Sequence, residues 1–323
     1  MTRSNPKILG LHASSRCFTF FSKIQKRIHK TLNDAQSRDQ AGFRPTYSCE
    51  DHLFTVLMIT ETLNERGKPL WIATIDFKKA FDSISHESIW RGLEKQGVHR
   101  QYTKLLQSLY RGQNAKVQTD VTSRLFNISR GTKQGDPISP LLFNAVVEAL
   151  MKDVKEKWAK KGWGVHLGWG VEEKMTNLRF ADDILLTART LPQIKKMLGD
   201  VADAAGKVGL ELHPGKTKIL HNGIGYGTGA KAAICGEMKL AIEIIGDEGE
   251  TEYLGRVLNM TNMHGAEMRN RTTRAWAKFA KHKAELTCKD IPISLRLKLF
   301  DAVVTPTMLY GAGAWPMTKG RET

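Results

Sequence analysis

Three aspartates carry the chemistry that this sequence can be read for. Asp76 closes the apolar run Leu70–Asp76 (LWIATID), inside IDFKKAFDSI, and Asp182-Asp183 interrupts a second apolar stretch, RFADDILLT. An aspartate in a turn is ordinarily solvated, and one that ends a strand is ordinarily a turn or cap residue. Carboxylates gathered at the ends of buried strands are a different case, because they repel one another unless a cation offsets the cost. Hard divalent ions with oxygen ligands do this, and Mg²⁺ typically takes one or two protein carboxylates alongside substrate phosphates. Two such ions about 4 Å apart activate a hydroxyl nucleophile and stabilise a leaving pyrophosphate in an in-line displacement. The chemistry expected is nucleotidyl transfer.

The elements that must position these groups read as mixed α and β. Leu70–Asp76 is a short apolar run and reads as a buried strand; Leu178–Ala188, apolar on both sides of the Asp-Asp pair, reads as strand, turn, strand. Asp51–Asn64 reads as a helix with its apolar side on Leu53, Phe54 and Leu57. Ser85 is the expected N-cap of a helix that carries Ile89, Trp90 and Leu93, and Ser139-Pro140 the expected cap and first turn of a helix over Leu141–Met151. Ala115–Arg130 alternates around Val121-Thr122-Ser123, the pattern of a hairpin. Hairpins are as frequent as crossovers, which favours an α+β fold. Gly223–Gly229 (GIGYGTG) matches no phosphate-loop spacing and reads as a connector.

Composition narrows the partner. The 323 residues hold 49 Lys and Arg against 33 Asp and Glu, a net charge of +16, and 41% are hydrophobic. Such a chain buries a real core and calls for an anionic partner, nucleic acid before an acidic membrane. The four cysteines form no C-x-x-C pair, so an intracellular, reducing compartment is expected. No apolar run approaches the roughly 20 residues of a membrane span, so no membrane partner is expected. The first 30 residues hold seven bases and no acid, and read equally as a transit peptide or a nucleic-acid-binding arm. Arg271, Arg274, Lys278 and Lys281 fall on one helical stripe, with Ala275, Trp276, Phe279 and Leu286 opposite, an arrangement suited to tracking phosphates.

In order and spacing, six segments resemble the reverse transcriptase domain of non-LTR (LINE-like) retrotransposons. They are QAGFRPTYSCEDHL (Gln40–Leu53), DFKKAFDSI, RGTKQGDPISPLLFN (Arg130–Asn144), FADD (Phe180–Asp183), GLELHPGKTKIL (Gly209–Leu220) and EYLG (Glu252–Gly255). The resemblance covers about residues 20 to 315. It implies a right-hand polymerase fold: fingers, a palm on an antiparallel sheet with the FADD hairpin, and a short helical thumb. The implied boundaries are 1–69 for the arm and fingers, 70–259 for the palm with 93–129 returning to the fingers, and 260–323 for a truncated thumb.

It also implies roles. Asp76, Asp182 and Asp183 would be catalytic and, with the Phe77 carbonyl, hold two Mg²⁺ ions, Mn²⁺ being a substitute. Phe81 would close the sugar pocket against a 2′-hydroxyl, although its spacing alone equally suits a core residue. Arg130, Gln134, Gly135 and Lys216 would line the nucleotide, Lys216 facing the pyrophosphate. Arg44 in the fingers and Arg271, Arg274, Lys278 and Lys281 in the thumb would touch nucleic acid. The implied partners are an RNA template, a DNA primer and deoxynucleotides, and the implied compartment is the nucleus.

Asn5–Arg16 (NPKILGLHASSR) holds only a trace of the family's usual triphosphate-gripping segment, and the chain reads as the polymerase core of a longer element. A decayed, nucleic-acid-binding relic is the competing reading. A maturase would need a splicing domain, and an RNA-dependent RNA polymerase is disfavoured by Phe81.

Overall fold

A computed structural model describes residues 7–10, 15–112, 114–118, 123–133, 135–166, 174–225, 229, 231–237 and 239–315. The chain begins β1 (Lys7–Gly10), α1 (Ser15–Ala35), α2 (Cys49–Glu65), β2 (Trp71–Ile75), α3 (Ala80–Ser83), α4 (His86–Lys95) and α5 (Arg100–Tyr110). It continues through β3 (Asn114–Gln118), β4 (Phe126–Asn127), α6 (Ser139–Lys160), β5 (Val165–His166), β6 (Lys174–Met175), β7 (Asn177–Phe180), β8 (Asp183–Ala188) and α7 (Leu191–Lys207). Next come β9 (Lys218–His221), β10 (Ala232–Cys235), β11 (Leu240–Ile245), β12 (Thr251–Tyr253) and β13 (Arg256–Leu258). It ends in α8 (Met263–Lys281), α9 (Lys283–Thr287), α10 (Ile293–Val303), α11 (Thr305–Met308) and a 3-10 turn at Ala312–Ala314.

The centre is a six-stranded sheet in the order β10-β11-β9-β2-β8-β7. Its pairings are antiparallel except for β11 against β9, which run parallel. Both faces are covered, which is why β2 and β8 read as unbroken apolar runs rather than as alternation. The period of two divides them: Ala73, Ile75, Ile184 and Leu186 join the core shared with α6 and α7, while Ile72 and Leu185 join that of α2. The architecture is α+β.

Several expected elements are displaced by a residue or a turn. α2 starts at Cys49 because Ser48 and Asp51 form a reciprocal capping box, and Phe54 on it is 53% exposed while His52 and Val56 turn inward. Ser139 is the first residue of α6 rather than its cap; its hydroxyl donates to the Lys133 carbonyl at 2.6 Å. The β3/β4 hairpin pairs Asn114 with Asn127, and β3 also pairs with β1. The expected hairpin tip at Val121-Thr122 and most of the Gly223–Gly229 connector's second half lie outside the described residues.

Candidate active site

The three aspartates meet at one end of the sheet. Ile75 pairs with Ile184, so the next step along β2 sets Asp76 beside Asp183, and Phe180 pairs with Asp183 to close the β7/β8 hairpin around Ala181 and Asp182. The hairpin lies at the sheet edge, and one loop ties down the end of β2 beside it while another runs along β7. On one side His213 N–H donates to the Asp76 carbonyl at 2.8 Å, Lys78 N–H donates to the Glu211 carbonyl at 2.8 Å, and Asp76 N–H donates to Thr217 Oγ1 at 3.3 Å. In this bridge of Phe77 with Leu212, those bonds flank Phe77, whose own carbonyl therefore faces away from Leu212. Lys216, held by its N–H on the His213 carbonyl, brings Nζ to 3.6 Å from Asp76 Oδ2.

Two of the carboxylates feel a neighbour's charge. Partial burial, then the charge of Asp76, raises Asp182 above the ordinary carboxylate range. Asp183, partly desolvated at the end of the sheet and then repelled by the charges of Asp182 and Asp76, is pushed up to about 6. An oxygen-only donor set under mutual repulsion fits a hard divalent cation, which would relieve that repulsion. Among the described residues, no three His, Cys, Asp or Glu side chains are already drawn together into a group that could hold a metal ion. The carboxylates are neighbours, not a finished cage.

Phe81 stands beside them in an aromatic stack. Its ring lies 4.4 Å from that of Phe143, nearly parallel, and meets Phe43 edge-on at 6.5 Å. Phe43 itself is 52% exposed, on left-handed backbone at φ 59°. The loop after Arg130 is tied to the same place, since Thr132 N–H donates to the Phe81 carbonyl at 2.8 Å and Gly131 N–H to that of Ile84 at 2.7 Å. Gly131 has φ 84°, and a Cβ there would lie 2.8 Å from the Asp82 carbonyl oxygen, so only glycine allows this approach. Arg130 is exposed next to this loop, and Gly135, at φ 88°, is exposed within it. Gln134 lies outside the described residues.

Two expectations about basic residues change. The Arg44 guanidinium is spent inside the protein: it donates to Asn33 Oδ1 at 3.0 Å and to the carbonyls of Ser37 and Gln40 at 2.7 and 2.9 Å, and it stacks on Tyr47. It clamps the end of α1 to the QAGF segment. On α8, Arg271 is 4% exposed, paired with Glu267 at 2.6 Å, donating to the Gly255 carbonyl and lying over the Tyr310 ring. The stripe is broken because residue 271 lies one turn from Glu267 and one turn from buried Ala275, on the inner face. Arg274 pairs with Glu252 at 2.9 Å, Trp276 is 65% exposed, and Lys278 and Lys281 remain on the outside.

Other groups around the hairpin had no role assigned from the sequence. Arg179, fully buried, faces Glu148 at 2.9 Å, while Asp39 is paired with Lys155. Burial would raise Asp39, but Lys155 and Arg179 outweigh it and hold its carboxyl below the usual range. Residues 39–42 run along β7: Arg179 N–H donates to the Asp39 carbonyl at 2.7 Å and Ala41 N–H to that of Arg179 at 2.9 Å. The only signal in the sequence was a charged residue inside an apolar run.

Similarity to known proteins adds what geometry alone does not. The family model for reverse transcriptase (RNA-dependent DNA polymerase) matches residues 12–258, more than half of the chain. The chain belongs to the reverse transcriptase family. The chain is 34% identical over 196 residues to the Retrovirus-related Pol polyprotein from type-2 retrotransposable element R2DM of Drosophila melanogaster, covering 60% of this chain and 17% of that protein. It is 34% identical over 154 residues to the R2 Pol polyprotein of Nasonia vitripennis, covering 47% of this chain and 14% of the relative. The chain thus spans less than a fifth of these relatives, and the resemblance to non-LTR retrotransposon enzymes holds. Among solved structures, apo telomerase from Candida tropicalis superposes with a TM-score of 0.54 at 14% identity, over 86% of this chain and 43% of that one. That likeness establishes the right-hand polymerase fold.

Proposed function

We propose that this reverse transcriptase extends the 3′-hydroxyl of a DNA primer with deoxynucleotides on an RNA template. One observation carries the reading: Asp76, Asp182 and Asp183 stand together at the open end of the sheet, each raising or feeling the others' charge, beside the Phe81 stack. Asp76, Asp182, Asp183 and the Phe77 carbonyl would hold two Mg²⁺ ions, for which Mn²⁺ substitutes. Those ions, when bound, supply activation of the 3′-hydroxyl and neutralisation of the leaving pyrophosphate.

The protein's own groups do the rest. The backbone stitching of Asp76 to the His213–Thr217 turn fixes one carboxylate while the β7/β8 turn fixes the other two. Lys216, already near Asp76, is placed to pair with a phosphate oxygen once the carboxylate is otherwise engaged. Phe81, braced by Phe143, would abut the sugar and exclude a 2′-hydroxyl. Arg130 and Gly135 would border the nucleotide. Residues 1–69, 70–259 (with 93–129 returning to the fingers) and 260–323 would then be the N-terminal arm with the fingers, the palm and the thumb. Exposed Lys278 and Lys281 would face the duplex, and the resemblance to retrotransposon enzymes implies a nuclear site of action.

The test is primer extension on poly(rA)/oligo(dT) with Mg²⁺. The wild type should extend and Asp182→Ala should lose extension by about 10³-fold or more, the scale expected when an electrostatic anchor of the transition state is removed. Equal extension by both proteins would refute the metal-site assignment. Salt-sensitive binding of the duplex without any incorporation would mark a relic instead.

A further inference from the structure

The β7/β8 turn has a conformation that its own residues do not favour. It is a two-residue connection, Ala181-Asp182, and Ala181 has φ 58°. Such turns need a positive φ at the first central position and usually place glycine or asparagine there. An alanine held in that region persists only where its surroundings over-determine it. The strain lies next to the two carboxylates whose position matters most.

The surroundings that hold it come from two distant segments. Ala181 is 3% exposed, and its N–H donates to Gln40 Oε1 at 3.0 Å. The same oxygen accepts from Gly42 N–H at 2.9 Å. Gln40 is fully buried, and its own Nε2 donates to Asn144 Oδ1 at 3.4 Å. Asn144, also fully buried on α6, donates from Nδ2 to the Gly42 carbonyl at 2.7 Å. Gly42 lies so close that a Cβ would come within 2.3 Å of the Ala181 nitrogen. Two buried amides and one glycine therefore form a closed set of bonds around this turn.

We propose that Gln40 is a positioning residue for this turn: its side-chain carbonyl, oriented by Asn144, holds Ala181 left-handed and so fixes where Asp182 and Asp183 stand. The proposal rests on the polymerase reading for its kinetic consequence, but not for its structural one. Gln40→Leu keeps the size and removes the acceptor. Three measurements follow: kcat and KM for dTTP in primer extension, the melting temperature without divalent ions, and the shift of that temperature on adding Mn²⁺ alone.

Gln40→Leu should lower kcat about 10²-fold with KM for dTTP little changed, the cost of a misplacement near 1 Å. Its Mn²⁺-induced shift should shrink. Adding Ala181→Gly, which adopts the left-handed region without strain, should recover about tenfold in kcat and part of the Mn²⁺ shift. Gly42→Ala, which leaves Gln40 in place but presses on Ala181, should give the same pattern and serves if Gln40→Leu does not fold. Wild-type kcat and Mn²⁺ response in Gln40→Leu, or no recovery in the double variant while the ion-free melting temperatures fall together, would overturn the proposal and leave Gln40 a packing residue. If the wild type extends no primer, the polymerase reading fails, and the Mn²⁺ comparison alone decides this proposal.

Discussion

Asp183 shows what a single side chain contributes at this site. Its carboxyl is pushed up to about 6 from an ordinary 3.8 by partial loss of solvation, then by Asp182 and Asp76, so the folded state binds its proton more tightly than the unfolded chain does. By linkage, stability should fall as pH rises from about 4 through about 6. Asp183→Asn should therefore melt higher than wild type at neutral pH without divalent ions, and the two curves should converge near pH 4. A difference that stays constant across this window would refute the desolvation and charge account. Phe81 makes the second prediction at this scale. Its ring leans on Phe143, so Phe81→Ala opens space where the sugar would sit. The expected outcome is a fall of about tenfold or more in preference for dCTP over CTP on a heteropolymeric RNA template.

At the scale of elements, the β7/β8 hairpin is held from two sides: the His213–Thr217 turn fixes its neighbour Asp76, and residues 39–42 cover its edge. α2 supports the opposite sheet face, and its start is set by the Ser48–Asp51 box. Ser48→Ala should cost about 1 kcal/mol in urea unfolding, with an unchanged m value. That box was legible as S-x-x-D, yet the apolar pattern alone placed the helix start at Asp51. The α8 stripe misled for a related reason. Four bases at helical spacing look solvated until an intrahelical partner such as Glu267 allows one of them to be buried.

Across the whole molecule, the charge of +16 is unevenly used. Arg44, Arg179 and Arg271 are engaged inside the protein, and Arg274 is paired with Glu252. The outward face of α1 carries Lys23, Lys26, Arg27 and Lys30, all exposed, while Phe21, Ile24, Ile28 and Leu32 face the core. Among the described residues, no helix is long and apolar enough to cross a membrane. Reversing those four bases to Glu should weaken binding to an RNA–DNA duplex. It should also flatten the dependence of log affinity on log salt, by about one unit for every phosphate that the arm no longer neutralises. An unchanged slope would place the duplex on another face.

What the sequence by itself determined follows from local rules: the buried strands, the Asp76 and Asp182-Asp183 positions at their ends, the Ser85 and Pro140 helix starts, and the ordered motifs that mark the family. Period and turn chemistry act over a few residues, so they survive without a fold. Only the tertiary structure decided the pairing that sets Asp76 beside Asp183, the parallel β9/β11 contact, the use of Arg44 and Arg271, and the Gln40–Asn144 bonds around Ala181. The first and last of these depend on segments more than 100 residues apart meeting in one place, as Ile75 with Ile184 and Gln40 with Asn144 do, and the others on which partner the packed chain presents; no spacing along the chain encodes which buried amide finds which backbone group.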